Sequence, residues 1–263
     1  MARRASDPPS PPILVAVLDA TALGDAPEAR ARALFEAGVD WIQLRDRTLE
    51  AAALFDLARA LVAARDVAAR DETARDAGAR MGHHPPRRRD GAEGRAVIVN
   101  KRCDVALSAG ADGVHLGLDA MTIGSARTLL RDLGRDPGGR SAWIGASLHG
   151  VDELERALAS NAPPDYVHLA PIWSPRSKPA ERPALGLETL AAAARVGAAG
   201  GVRVIAQGGL DAGRAEAAVE AGAAGVAVTG LLTLVDDPPA SARALRAALD
   251  RAAWALPQAG GGR

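Results

Sequence analysis

The sequence predicts an α/β fold, a single (β/α)8 TIM barrel, and three observations carry that expectation. Eight short apolar runs alternate with longer stretches of helical period along 263 residues, a length that one such barrel routinely fills. An Ala-Gly pattern followed by a strand-like run recurs along the chain. Polar residues able to do chemistry follow almost every apolar run, at the end of the strand where a barrel keeps its active site.

The elements follow in order. Ile13–Leu18 is apolar throughout, as a parallel strand buried on both faces should be, and Asp19 follows it. A helix is expected near 27–37. The second strand is Trp41–Leu44, with Arg45 and Arg47 beyond it, and a helix over 49–70 comes next. Ala96–Val99 is the third strand, followed by Asn100, Lys101 and a helix over 103–109. Gly113–Leu116 and a helix over 121–133 form the fourth unit, and Ala142–Gly145 and a helix over 151–160 the fifth. The fifth strand is followed by Ser147 and His149. Tyr166–Leu169 leads through the loop Ser174–Pro179 to a helix over 187–198. Arg203–Ala206 precedes Gln207-Gly208-Gly209 and a helix over 211–221. Gly225–Val228 precedes Thr229-Gly230 and a last helix over 239–253. Strands alternating with helices call for right-handed crossovers and a parallel sheet.

The repeat supports a closed barrel over an open, doubly wound sheet. Residues 37–44, 109–116 and 221–228 share one pattern, and 161–169 is a looser copy. In the first three, Gly is expected to end a helix in a left-handed turn and release the chain into the next strand.

Outside residues 13–254, residues 1–12 are read as a disordered extension and 255–263 as a flexible tail. A charged insertion spans about 66–95. Its first part could extend the second helix; its His83-His84 and Arg87–Arg89 could bind a metal or a phosphate, but such runs are more often simply solvated.

Composition narrows the function. The chain carries 32 Lys+Arg and 32 Asp+Glu, so no basic excess suits a nucleic acid or an anionic membrane. With 3% aromatic residues it lacks base-stacking platforms, and one Cys excludes an internal disulfide or a Cys-rich zinc site. No apolar run reaches the roughly 18 residues needed to cross a bilayer. A cytoplasmic enzyme for a small molecule is expected, and a homo-oligomer is compatible with the sequence.

Gly208-Gly209 and Val228-Thr229 follow strands seven and eight, where barrels bind phosphorylated ligands through backbone N–H groups beside a helix N-terminus. Arg45 and Arg47 suit oxyanions, and Lys178 with Ser177 could add a charge and a donor from the opposite loop. His149 is the best-placed acid/base group near neutral pH, whereas His115 and His168 sit inside strands and are expected to be packed or supporting groups.

These segments together resemble the thiamine phosphate synthase/TenI family. The matching stretches are 41–47, 97–107, 109–117 and 144–149, then Asp165-Tyr166, Pro171-Ile172 with Ser177-Lys178-Pro179, Gly186-Leu187, Gly208-Gly209 and 225–229. The resemblance implies one of two activities. A synthase joins hydroxymethylpyrimidine diphosphate to a thiazole phosphate with magnesium, expelling pyrophosphate. A TenI-type tautomerase converts a carboxythiazole phosphate to its aromatic form without a cofactor. Carried over residue by residue, Gln43, Arg45, Asn100, Ser147 and Lys178 match synthase positions that hold the pyrimidine and its diphosphate. Gly209, Val228 and Thr229 match the thiazole-phosphate cradle.

Three positions depart from the synthase pattern. Lys101 stands where an acidic residue follows Asn100's counterpart, Ala120 stands where a second Asp is expected, and Pro175 replaces a Thr. Asp119, next to Ala120, is the one carboxylate left for a divergent magnesium site. The sequence therefore favours the tautomerase, with His149 moving the ring proton. The synthase is the alternative, with Lys101, Arg45 and Lys178 replacing part of the metal's charge. A non-catalytic sensor of the same phosphates is a second alternative.

Overall fold

Strands that are apolar at successive positions must be covered on both faces, and a sheet closed on itself inside a ring of helices does this. A computed structural model describes residues 12–79, 94–117, 119–133, 142–174 and 182–255. In it the strands form one closed parallel barrel, paired in chain order with the last returning to the first. They are β1 (Ile13–Leu18), β2 (Trp41–Leu44), β3 (Ala96–Asn100), β4 (Gly113–Leu116), β5 (Trp143–Leu148), β6 (Tyr166–Leu169), β7 (Arg203–Gln207) and β8 (Gly225–Val228). The helices are α1 (Ala20–Leu23), α2 (Pro27–Glu36), α3 (Ala51–Ala79), α4 (Cys103–Ala109), α5 (Ile123–Leu133), α6 (Val151–Leu158), α7 (Gly186–Gly200), α8 (Ala212–Glu220), α9 (Gly230–Thr233) and α10 (Pro238–Ala255).

Two cores result from the strand alternation. Outward positions such as Leu14, Val97, Val167 and Val226 pack with the helices, whereas Val15, Trp41, Ile98, Tyr166 and Ile205 fill the barrel. Trp41 meets the Tyr166 ring edge-on with centroids 5.1 Å apart, a pairing that contributes about 0.5–1.5 kcal/mol beyond its burial. Gly145 makes this possible, because a Cβ there would lie 2.1 Å from the Tyr166 ring.

The repeated motif has a second part beyond its turn glycine. Asp40, Asp112 and Asp165 stand just before β2, β4 and β6, and their carboxylates accept from Leu14, Val97 and Ile144 N–H of the preceding strand, each at 2.8 Å. Each also meets an arginine from a helix: Arg246, Arg65 and Arg127 respectively. The fourth copy has Ala224 at this position and keeps only the backbone bond to Val204 O. These clamps lie at the N-terminal end of the barrel, the end that serves stability.

Three strands, β3, β5 and β7, run beyond their expected ends. β5 runs on to Leu148, so Ser147 is a strand residue. α3 continues to Ala79, as the reading of the insertion's first part as a helix extension expects, and Arg95 ties the extension down by donating to Ala68 O and Glu72 Oε2. α1 and α9 are single turns with no periodicity to read. The expected disordered extension (1–12, apart from Pro12), the tail (255–263, apart from Ala255) and the remainder of the insertion with His83, His84 and Arg87–Arg89 lie outside the described residues. No helix among the described residues is long and apolar enough to cross a membrane.

Candidate functional site

A cavity of about 740 Å³ opens at the C-terminal ends of the strands. Gln43, Arg45, Arg47, Asn100, Ser147, His149, Gly208, Gly209, Val228 and Thr229 all line it. Ser177 and Lys178 lie outside the described residues.

The floor is polar and uncharged. Gln43 Nε2 donates to Asn100 Oδ1 at 3.2 Å, which fixes the amide and leaves Oε1 without a partner. His115 links two neighbours: Nε2 is 2.9 Å from Ser147 Oγ and Nδ1 is 3.3 Å from the Tyr166 hydroxyl. His115 and His168, expected to be packed or supporting groups, are both buried and both also line the cavity. Burial pushes His168 down to about 3, although a hydrogen bond with the Gln207 side chain pulls the other way. Burial likewise holds His115 well below its ordinary value, with His168 and Arg45 adding to the effect. Alternating inward positions in β4 and β6 could have pointed to both residues.

These two imidazoles make the fold acid-sensitive. Both stay neutral when folded but take up protons near pH 6.5 when unfolded, so the stability present above that pH is lost as pH falls towards about 3. Denaturant midpoints should therefore fall steadily from pH 6.5 downward, and less steeply in His168→Gln. A flat midpoint over this range would contradict the neutral-floor assignment.

Arg45 and Arg47 stand on one wall. Burial first, and then the nearby Arg47, disfavour the Arg45 charge, whereas Asp119 and Asp19 favour it. The guanidinium stays protonated, so an incoming anion relieves the opposition. Lys101 follows β3 with a left-handed φ of 64°, an unusual conformation for a side chain other than Gly. Its ammonium pairs with the Asp119 carboxylate instead of lining the cavity. This corrects the expectation that Lys101 contacts the substrate directly.

The opposite wall is a backbone cradle. Gly208 and Gly209 have φ of 100° and 63°, and Ile172 N–H and Trp173 N–H donate to Gln207 O and Gly208 O. The loops after β6 and β7 are thus laced together. Arg214, unnoticed in the sequence, donates to Gly209 O at 2.5 Å and lies over the Trp173 ring. The expected dipole contact from α8 needs correction, because Asp211 caps that end by accepting from Arg214 N–H. Thr229 instead leads into α9, a short extra helix of the kind that completes phosphate sites in such barrels.

His149 follows β5 with its side chain 20% exposed. Its N–H donates to Glu153 Oε2 at 2.8 Å, while Nδ1 lies 3.4 Å from the same oxygen without a hydrogen bond. No group of three or more His, Cys, Asp or Glu side chains among the described residues is placed to hold a metal ion. A magnesium ion demands oxygen ligands, and here Asp119 is occupied by Lys101 while residue 120 is Ala. The donor set does not fit a resident magnesium ion.

Residues 88–232 match the family described as thiamine monophosphate synthase. The chain is 35% identical over 240 residues to the thiamine-phosphate synthase of Arthrobacter sp. (strain FB24), spanning 84% of this chain and 87% of that one. It is 38% identical over 216 residues to the thiamine-phosphate synthase of Methanoculleus marisnigri, spanning 82% and 84%. A solved structure, thiamine phosphate pyrophosphorylase from Pyrococcus furiosus, shares the fold with a TM-score of 0.67 at 20% identity, covering 91% of this chain and 96% of that one.

Proposed function

Because the chain belongs to the thiamine monophosphate synthase/TenI family, we propose that it is a thiamine-phosphate synthase, joining an aminopyrimidine methyl diphosphate to a thiazole phosphate. The observation that carries this reading is the division of one cavity into three parts: a polar, uncharged floor, an arginine wall and a glycine cradle. Two phosphorylated heterocycles need such a division; a single one needs only the cradle and a neighbouring group.

In the reaction the thiazole nitrogen bonds to the methylene carbon of the pyrimidine. The carbon–oxygen bond to the diphosphate breaks, and its electron pair leaves with pyrophosphate. The cradle at Gly208, Gly209, Val228 and Thr229 holds the thiazole phosphate. Gln43 and Ser147 orient the pyrimidine, and Arg45 and Arg47 meet the charge that develops on the leaving diphosphate. Lys101 is neutralised by Asp119, so among the described residues Arg45 and Arg47 are left to meet the diphosphate.

Arg45→Ala should lower kcat/KM for the diphosphate substrate by roughly ten- to a hundredfold, the weight of one charge-assisted hydrogen bond. The KM for the thiazole phosphate should stay close to wild type. Steady-state kinetics with each substrate varied in turn would show this, and an unchanged diphosphate kcat/KM would remove Arg45 from the site.

The relatives reported above carry the synthase name, and nothing comparable supports the tautomerase that the sequence favoured. One observation still speaks for a tautomerase as second reading. Lys101 and Ala120 stand where the synthase pattern has carboxylates, and His149 lines the cavity as a candidate acid/base.

A further inference from the structure

Two buried polar atoms, Gln43 Oε1 and His168 Nε2, have no hydrogen-bond partner among the described residues. Their side chains are almost wholly enclosed, Gln43 being 2% and His168 1% exposed, and both residues line the cavity. A fold seldom buries such atoms unpaired unless a ligand completes them. Gln43 is already implicated by the family resemblance; His168 is not.

The surroundings of His168 hold its ring in one place. Its centroid lies 4.3 Å from that of His115 and 5.5 Å from that of Tyr166. His115 is itself fixed between Ser147 and Tyr166. Gln207 reaches the imidazole from β7, and Nε2 is still unpartnered. A neutral imidazole with its proton on Nδ1 presents a lone pair at Nε2. Gln43 Oε1 is likewise an acceptor, because its amide nitrogen is spent on Asn100. The floor therefore offers two acceptors and no charge, which matches the two N–H bonds of an exocyclic amine on a flat heterocycle.

We propose that His168 is a specificity-determining residue whose Nε2, together with Gln43 Oε1, accepts the two N–H bonds of the ring amine, so that the site selects an aminopyrimidine over the same ring without the amine. This inference rests on the synthase reading and adds a residue to it. A floor built to pair an N–H rejects the analogue that lacks it, because the buried acceptors are then left empty.

The test uses the full chain and measures binding by calorimetry, so it does not depend on turnover. The ligands are the aminopyrimidine methyl diphosphate, its desamino counterpart and the thiazole phosphate. Wild type should prefer the amine by roughly tenfold or more. His168→Phe keeps a flat ring beside His115 but no acceptor, and should reduce the preference to near unity with thiazole-phosphate affinity unchanged. His168→Gln restores an acceptor and should recover part of it. A preference kept at its wild-type value in His168→Phe overturns the proposal, as does wild type binding both pyrimidines equally, a result that needs no variant to fold. Wild type that binds the thiazole phosphate and neither pyrimidine overturns the proposal and the synthase reading together.

Discussion

Gly209→Ala should lower the affinity for the thiazole phosphate, and kcat/KM with it, by about two orders of magnitude, on the scale that a 1 Å misplacement costs a site. The residue has φ 63°, and an added Cβ would lie 2.6 Å from Ser174 O, 2.8 Å from Trp173 Cβ and 2.8 Å from Trp173 O. Two of those atoms are backbone, so the strain has no flexible side chain to absorb it. The loops after β6 and β7 must separate, and the Trp173 N–H to Gly208 O bond and the Arg214 bond to Gly209 O go with them. Because the change lies at the barrel's open end, the protein should still fold, with circular dichroism like wild type and a stability loss of about 1–3 kcal/mol. Calorimetry with the thiazole phosphate measures the effect directly. Wild-type affinity would show that the cradle lies elsewhere.

Asp40→Ala should cost about 3–5 kcal/mol of stability while leaving the geometry of the cavity intact. Asp40 and Arg246 form an ion pair at 3.0 Å with side chains 5% and 10% exposed. The same carboxylate accepts from Leu14 N–H at 2.8 Å. Removing it takes the buried carboxylate from the Arg246 guanidinium and from a strand N–H at the seam between β1 and β2. Arg246 also donates to Pro12 O and to Asp250, which softens the loss but does not replace the carboxylate. Gly38, with φ 101°, admits the aliphatic part of Arg246, whose Cγ would be 2.7 Å from a Cβ there. Denaturant unfolding at neutral pH is the measurement. A loss below about 1 kcal/mol would mean that the clamp is no more than a surface ion pair.

Much of this architecture is legible in the sequence, for physical reasons. Strands buried on both faces need unbroken apolar runs, and left-handed helix ends need Gly, so Gly38, Gly110 and Gly222 mark the register of the repeat. What the sequence hides is pairing over distance. The Asp of the repeat is visible, but its strand N–H partner lies 26, 15 or 21 residues away, and the arginine beyond it elsewhere again. Ser147 reads as a loop residue because Ala-Ser-Leu has no strong strand preference; only pairing with β6 shows that β5 continues. His115 and His168 read as packing because a strand histidine carries no sign of which layer of the barrel it occupies. Lys101 reads as a mouth residue, and its turn towards Asp119 depends on a backbone conformation that a lysine does not advertise.

The proposed reaction joins two phosphorylated heterocycles in this site. The direct test gives the purified full chain aminopyrimidine methyl diphosphate and thiazole phosphate, with magnesium in the buffer, and follows thiamine phosphate and pyrophosphate together. Both products should form in equimolar amounts, dependent on each substrate. The synthase reading is contradicted if neither product forms while the carboxythiazole phosphate is converted to its aromatic tautomer in a His149-dependent manner, or if both phosphates bind and neither is turned over.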